Sequence, residues 1–182
     1  MSRIILLNGP GSVGKSSVAQ AMQRLAAGTL LHLSMDRFCE MLPERYQDHD
    51  DTFRFVTREM GGFAVTDVAT GPDGAALLSA MRRLVAVLAD AGFDLVVDDV
   101  WLDGEPADYA ELLAGHRICR VGLTSPLDVP EAREAARGDR LPGLARAQIG
   151  RVHEGASYDL MIDLSQAGPE EAARRIVTLA GL

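Results

Sequence analysis

Gly9-Pro10-Gly11-Ser12-Val13-Gly14-Lys15-Ser16 is the run on which the reading of this chain turns. It fits Gly-x-x-x-x-Gly-Lys-Ser/Thr, in which backbone N–H groups ring a phosphate, the ammonium reaches the β and γ oxygens and the hydroxyl serves Mg²⁺. Lys15 is the only lysine; the other 17 of the 18 basic residues are arginines. A planar guanidinium is too wide and too directional for that position, so a chain otherwise committed to arginine keeps lysine there. The flanks agree. Arg3 to Asn8 reads as a short buried strand entering the loop, and Val18, Ala19, Met22 and Leu25 recur at helical spacing after it. Gly9, Pro10, Gly11, Ser12, Val13, Gly14, Lys15, Ser16 and Ser17 are therefore the candidate ATP-binding residues.

Outward from this unit, apolar strand candidates at 4–8, 30–33, 95–98, 118–123 and 160–164 alternate with helical stretches at 15–26, 37–41, 74–91, 106–113, 130–137, 143–153 and 169–180. That alternation predicts an α/β fold in three layers, a parallel five-stranded sheet with helices on both faces. A length of 182 residues fits a single domain spanning 1–182. Residues 43–73 mix charges, phenylalanines and glycines and break the alternation, which predicts an irregular insertion covering the acceptor. A helical lid is expected at about residues 128–150.

The net charge of −8 argues against nucleic acid and acidic lipid as partners, since both need a basic face. No apolar run is long enough for a membrane span, and the first strand candidate begins at residue 3, so a cytoplasmic enzyme is expected. Cys39 and Cys119 form no Cys-x-x-Cys pair, which speaks against a zinc site or a disulfide framework.

Phosphoryl transfer needs the phosphates cradled, a metal held, the acceptor hydroxyl oriented or deprotonated, and charge on the transferring group neutralised. Lys15 and the loop answer the first need. Ser16 and the strand end Leu95-Val96-Val97-Asp98-Asp99 answer the second; side chains alternate across a strand, so only one of Asp98 and Asp99 can point at the loop, and Asp98 is favoured. Asp36, just past the second strand, is a candidate general base, and equally a helix N-cap ahead of Phe38, Met41 and Leu42. Arg133, Arg137 and Arg140 are candidate lid cations for the transferred phosphate; a solvated helix in which Glu131 and Glu134 balance the arginines is the alternative. Met35, Phe38, Val100 and Trp101 flank the two acids and would line an apolar acceptor pocket if they are not core, Trp101 above all. For His153-Glu154 a hydrogen-bonding role at a helix end is favoured over a metal or catalytic one.

Several stretches together resemble chloramphenicol phosphotransferase and its relatives, small kinases of the phosphate-loop class. They are IILLNGPGSVGKSS, Met35-Asp36 with Met41-Leu42-Pro43, VVDDVWL from Val96 to Leu102, and EAREAARGDR followed by VHEGASYDLMID up to Asp163. The resemblance implies ATP-dependent phosphorylation of a small-molecule hydroxyl, chloramphenicol and a part in antibiotic resistance included. It also implies sheet order 2-3-1-4-5 and Asp36 as catalytic base. Residues 43 to 73 match no family run, so the acceptor stays open. A kinase of another small hydroxyl (sugar, shikimate-like or nucleoside) and an adenine-nucleotide-dependent regulatory module are the alternatives. A guanine-specific switch is excluded, because its Asn-Lys-x-Asp segment needs a second lysine.

Overall fold

The computed structural model describes residues 1–102, 104–137 and 141–182, the side chain of residue 137 apart. Strand β1 (Arg3–Asn8) leads through the glycine-rich loop into helix α1 (Lys15–Leu25), then β2 (Leu30–Ser34) and the short α2 (Met35–Cys39). After a hairpin, β3 (Phe53–Met60) and β4 (Phe63–Thr70), come α3 (Pro72–Asp90), β5 (Asp94–Asp99), α4 (Ala107–Leu112) and β6 (Arg117–Thr124). The chain closes with α5 (Asp128–Arg137), α6 (Leu144–Ile149), β7 (Leu160–Asp163) and α7 (Pro169–Ala180).

The main sheet is parallel and runs β2-β5-β1-β6-β7. Numbered among themselves, its five strands stand in the expected order 2-3-1-4-5. β1 lies at the centre, and Ile4, Ile5, Leu6 and Leu7 are all fully buried, which is why the run reads as continuously apolar rather than alternating. Each such side chain contributes about 1.5–3 kcal/mol by leaving water. Alternation appears instead in the partners. Ile5 and Leu7 join Val18, Met22 and Ile176 of α1 and α7 on one face, while Ile4 and Leu6 join Met81 and Val85 of α3 and Tyr109 of α4 on the other.

Residues 43–73 are more regular than expected. A single 3₁₀ turn (Glu44–Tyr46) precedes the antiparallel hairpin, in which Met60 pairs with Phe63 across Gly61-Gly62. Both glycines have positive φ, +60° and +82°, the requirement of a two-residue type I′ turn. Gly-Gly between β-branched and aromatic residues is the signal that marks such a hairpin. An isolated two-stranded sheet is marginal in water, and this one leans on the start of α6. The Thr66 N–H donates to the Gly143 carbonyl at 3.1 Å, and the Thr66 hydroxyl donates to the Pro142 carbonyl at 2.6 Å.

The helix expected at 143–153 stops earlier, at Ile149. Residues 150–154 continue as hydrogen-bonded turns, in which the Arg151 and Val152 N–H groups both donate to the Gln148 carbonyl, and the Val152 carbonyl accepts from the Asn8 side chain at 2.7 Å. Among the described residues no helix is long and apolar enough to cross a membrane.

Candidate active site

The loop between β1 and α1 is shaped by close approach. A Cβ on Gly9 would lie 2.5 Å from the Leu123 carbonyl oxygen, and Gly14 sits at φ +119°, where L side chains are strained. Val13 points into the core and is fully buried, which anchors the loop from beneath. Helix α1 starts at once after Gly14 with no side-chain cap and no acid in its first turn. Its first N–H groups and the positive end of its dipole are thereby left to an anion. Lys15, 8% exposed, donates to the Gly9 carbonyl at 2.8 Å and to the Pro10 carbonyl at 3.1 Å.

Of the two acids at the end of β5, Asp98 faces the loop. It accepts from the Ser16 hydroxyl at 2.6 Å, and Lys15 Nζ stands 3.9 Å and His32 Nε2 3.7 Å away. Burial pushes the Asp98 carboxyl up, but His32, the Lys15 charge and the Ser16 hydroxyl together hold it below the usual carboxylate range. A hydroxyl and an ionised carboxylate in contact form the hard-oxygen set that Mg²⁺ takes alongside phosphate oxygens.

Asp99 faces the opposite way and is fully buried. It accepts from Trp101 Nε1 at 3.1 Å, the Tyr109 hydroxyl at 3.0 Å and the Val100 N–H at 2.8 Å. Burial raises its pKa. The same contacts correct the reading of Trp101. Rather than lining an acceptor pocket it is 1% exposed, stacked on Tyr158 and packed near Tyr109, because its indole N–H has its partner inside the core. Asp99→Ala would leave the Trp101 and Tyr109 donors unpaired, and a loss of about 3 kcal/mol is expected. Thermal denaturation should show this as a fall of roughly 6–12 °C; an unchanged midpoint would contradict the assignment.

Met35, Phe38 and Val100 are half-buried, with Met35 and Phe38 packed against the cluster around Tyr109. Asp36 is half-buried in the first turn of α2. The N-cap is Ser34, so Asp36 is not the capping residue. Ser34 pairs in register with Asp98, which places Asp36 on the same sheet edge as the Ser16–Asp98 contact.

On α5, Arg133 donates to the Ser12 carbonyl at 3.2 Å and, more closely, to that of Val13. It holds the loop by its backbone, at a point where Ser12 takes an unusual φ of 58°. Glu134 is 4% exposed and accepts from the Gly143 N–H at 3.2 Å and the Ala145 N–H at 2.7 Å. It caps the first turn of α6 from within, which replaces the reading of a solvated charge. Glu131 pairs with Arg146 at 2.6 Å, and Arg146 lies 4.2 Å from the centre of the Phe63 ring. The side chain of Arg137, and Arg140 altogether, lie outside the described residues.

Two contributors were not singled out by the sequence reading. Gln148 of α6 accepts the Gly11 N–H at 2.6 Å, so α6 touches the phosphate loop directly. Asn8, at the end of β1, ties that strand to Trp101, Val152 and Tyr158. A glutamine in a six-residue helix carries no distinctive spacing, whereas an asparagine closing an apolar strand directly before the glycine loop is a polar residue at a buried position and could have been noticed.

A central parallel strand, a phosphate loop, a lysine and a hydroxyl–carboxylate pair on one sheet edge define a phosphate-loop kinase-type phosphotransferase. The chain belongs to the chloramphenicol phosphotransferase-like family, whose pattern it matches over residues 2–180. It is 31% identical over 180 residues to proteins from two strains of Mycobacterium tuberculosis whose names propose an O-phosphotransferase, covering 96% of this chain and 80% of theirs. Among solved structures, the fold is similar to the Deinococcus radiodurans tunicamycin resistance protein (TM-score 0.64, 20% identity, 100% of this chain and 97% of that one). It is also similar to Mycobacterium tuberculosis APS kinase in complex with AMPPNP and APS (TM-score 0.63, 18% identity, 100% and 98%). A third similar structure is shikimate kinase from Acinetobacter baumannii in complex with shikimate (TM-score 0.60, 15% identity, 98% and 93%).

Proposed function

We propose that this protein transfers the terminal phosphoryl group of ATP to a hydroxyl of a small, moderately apolar acceptor, with chloramphenicol as the first candidate. The observation that carries the proposal is the placement of Lys15, the Ser16–Asp98 contact and Asp36 along one sheet edge. The loop N–H groups, the start of α1 and Lys15 would hold the phosphates of ATP, with Ser16 and Asp98 as the protein's ligands to Mg²⁺. The metal would neutralise charge on the phosphate oxygens when bound. Asp36 would take the proton of the acceptor hydroxyl as its oxygen bonds to the γ phosphorus and the bond to ADP breaks. Met35, Phe38 and Val100 would give the acceptor its apolar contact. The hairpin, held to α6 through Thr66, would cover it.

A second acceptor class has a specific observation in its favour. With Trp101 in the core, the pocket loses its largest apolar surface, and the structural neighbours include enzymes that act on polar compounds, shikimate kinase and a gluconokinase. The deciding experiment is ADP release followed by mass spectrometry of the product, with ATP, Mg²⁺ and a panel holding chloramphenicol, tunicamycin, shikimate, sugars and nucleosides. Phosphate on chloramphenicol supports the first class, and transfer only to the polar members selects the second. Nucleotide binding with no transfer to any hydroxyl would indicate a regulatory module.

Arg133 offers an independent check. Its hold on the Ser12 and Val13 carbonyls should matter most when the loop bears the full charge of the transition state. Arg133→Ala is expected to lower kcat by roughly tenfold to a hundredfold with acceptor KM within about twofold. Steady-state kinetics on the acceptor found by the panel measures both, and an unchanged kcat would return α5 to a purely structural part.

A further inference from the structure

Asn8 is fully buried, ends β1 and immediately precedes the phosphate loop. Its side-chain amide makes three hydrogen bonds whose directions are forced. Oδ1 accepts from the Trp101 N–H at 2.9 Å, and Nδ2 donates to the Val152 carbonyl and the Tyr158 hydroxyl oxygen, both at 2.7 Å. Turning the amide over would face donor to donor at Trp101 and acceptor to acceptor at Val152, so one orientation alone satisfies the site. The Tyr158 oxygen thus receives a hydrogen from Asn8, and His153 Nδ1, 2.8 Å away, is the acceptor within reach of its own O–H.

A ring nitrogen that accepts carries no hydrogen, so His153 is neutral with its proton on Nε2. Nε2 is shielded from solvent and makes no hydrogen bond of normal geometry among the described residues. Stacking fixes the rest. The Tyr158 ring lies within 4° of parallel to Trp101 at 6.2 Å, and His153 meets its edge at 5.4 Å.

We propose that His153, acting through Tyr158 and Asn8, is a positioning residue that holds the phosphate loop in its nucleotide-binding form while the imidazole is neutral. This rests on the reading of the loop as a nucleotide site. Protonation would place a hydrogen on Nδ1, so the Tyr158 oxygen would have to accept from it beside Asn8, and the tyrosine's own hydrogen would lose its acceptor. The hydroxyl must then move to find a new acceptor, which loosens its tie to Asn8, and Asn8 sets the exit of β1 into Gly9, where a Cβ would lie 2.5 Å from the Leu123 carbonyl oxygen. Among the described residues, the charged groups that act on the pair are Lys15 on His153 and Glu105 on Tyr158. Burial and the Lys15 charge hold the imidazole below its ordinary value of 6.5 against the opposing pull of the Leu123 carbonyl. Because the folded value is depressed, the tie is intact above the unfolded value near 6.5 and is lost as pH falls through the folded value beneath it.

The test measures the dissociation constant of ADP from pH 8 to pH 5 on the intact protein. Wild type, Tyr158→Phe, His153→Ala and His153→Asn are compared, with Lys15→Ala as a control. In His153→Asn the amide oxygen replaces Nδ1 as acceptor and does not titrate. At pH 7.5, Tyr158→Phe and His153→Ala should bind ADP roughly tenfold more weakly, and His153→Asn should recover most of that loss. Towards pH 5 the wild type should lose affinity relative to His153→Asn; titration of ADP itself is common to both and cancels in the ratio. A ratio constant with pH, or Tyr158→Phe binding like wild type, overturns the proposal. ¹⁵N NMR of the wild-type imidazole gives a judgement free of any variant's folding: a proton on Nδ1 at pH 7.5 overturns it, and a proton on Nε2 supports it. ADP binding that ignores Lys15 would instead count against the loop as nucleotide site, with the NMR result still deciding the hydrogen-bond chain.

Discussion

Lys15→Arg is expected to fold normally and to lose phosphoryl transfer by a factor on the order of a hundred or more, although the charge is conserved. The ammonium is enclosed: it is 8% exposed, bonded to the Gly9 and Pro10 carbonyls, and 3.9 Å from Asp98. A guanidinium is longer, planar and obliged to spread its donors in one plane. It could reach the loop carbonyls or the phosphates but could not occupy the same small volume between them. Folding should survive, because Val13 and the buried residues Ile4 to Asn8 of β1 anchor the loop independently of Lys15. ADP production by the purified variant, beside its melting temperature, separates the two effects. Turnover equal to wild type would remove the argument that the single lysine is placed for phosphate.

The parts of this molecule that were legible in the sequence are those where one residue type answers to one local demand. The glycines of the loop, the apolar run of β1 and the proline opening α7 each have a backbone or solvation reason that acts within a few residues. Residues whose meaning depends on distant partners were not legible. Trp101 follows an acidic pair at the sheet edge and reads as an acceptor contact, yet Asp99 draws its N–H inward and Tyr158, far along the chain, stacks on it. Glu134 reads as solvent balance for its neighbouring arginines until α6 brings the Gly143 and Ala145 N–H groups to its carboxylate. Alternation implied that only one of Asp98 and Asp99 can face the loop, since a strand has two faces, and it is Asp98 that accepts from Ser16. Alternation could not show that the other face holds two donors waiting for the second acid.

Asp36→Asn is expected to fold, to bind ADP as wild type does, and to lose transfer by a factor on the order of a hundred to ten thousand, the range for a positioned general base. The sequence left two roles for Asp36, and the structure alters their balance. Ser34 is the N-cap of α2, and Asp36 lies one position inside the first turn after Met35. Its carboxylate can interact favourably with the helix start, but for a helix of five residues this is a small term, at most about 1 kcal/mol at a half-exposed site. An amide keeps the size and most of the hydrogen bonding, so stability should change little while basicity is lost. The register argument supplies the rest. Ser34 lies opposite Asp98, and two further residues carry the chain past the end of β2 onto the edge where Ser16 meets Asp98. A base there would face an acceptor entering from the α2 and hairpin side, opposite to phosphates held by the loop. The kinetic signature should be a fall in kcat with acceptor KM nearly unchanged. If Asp36→Asn keeps full turnover and its melting temperature drops instead, the carboxylate belongs to the helix and the proton of the acceptor leaves by another route.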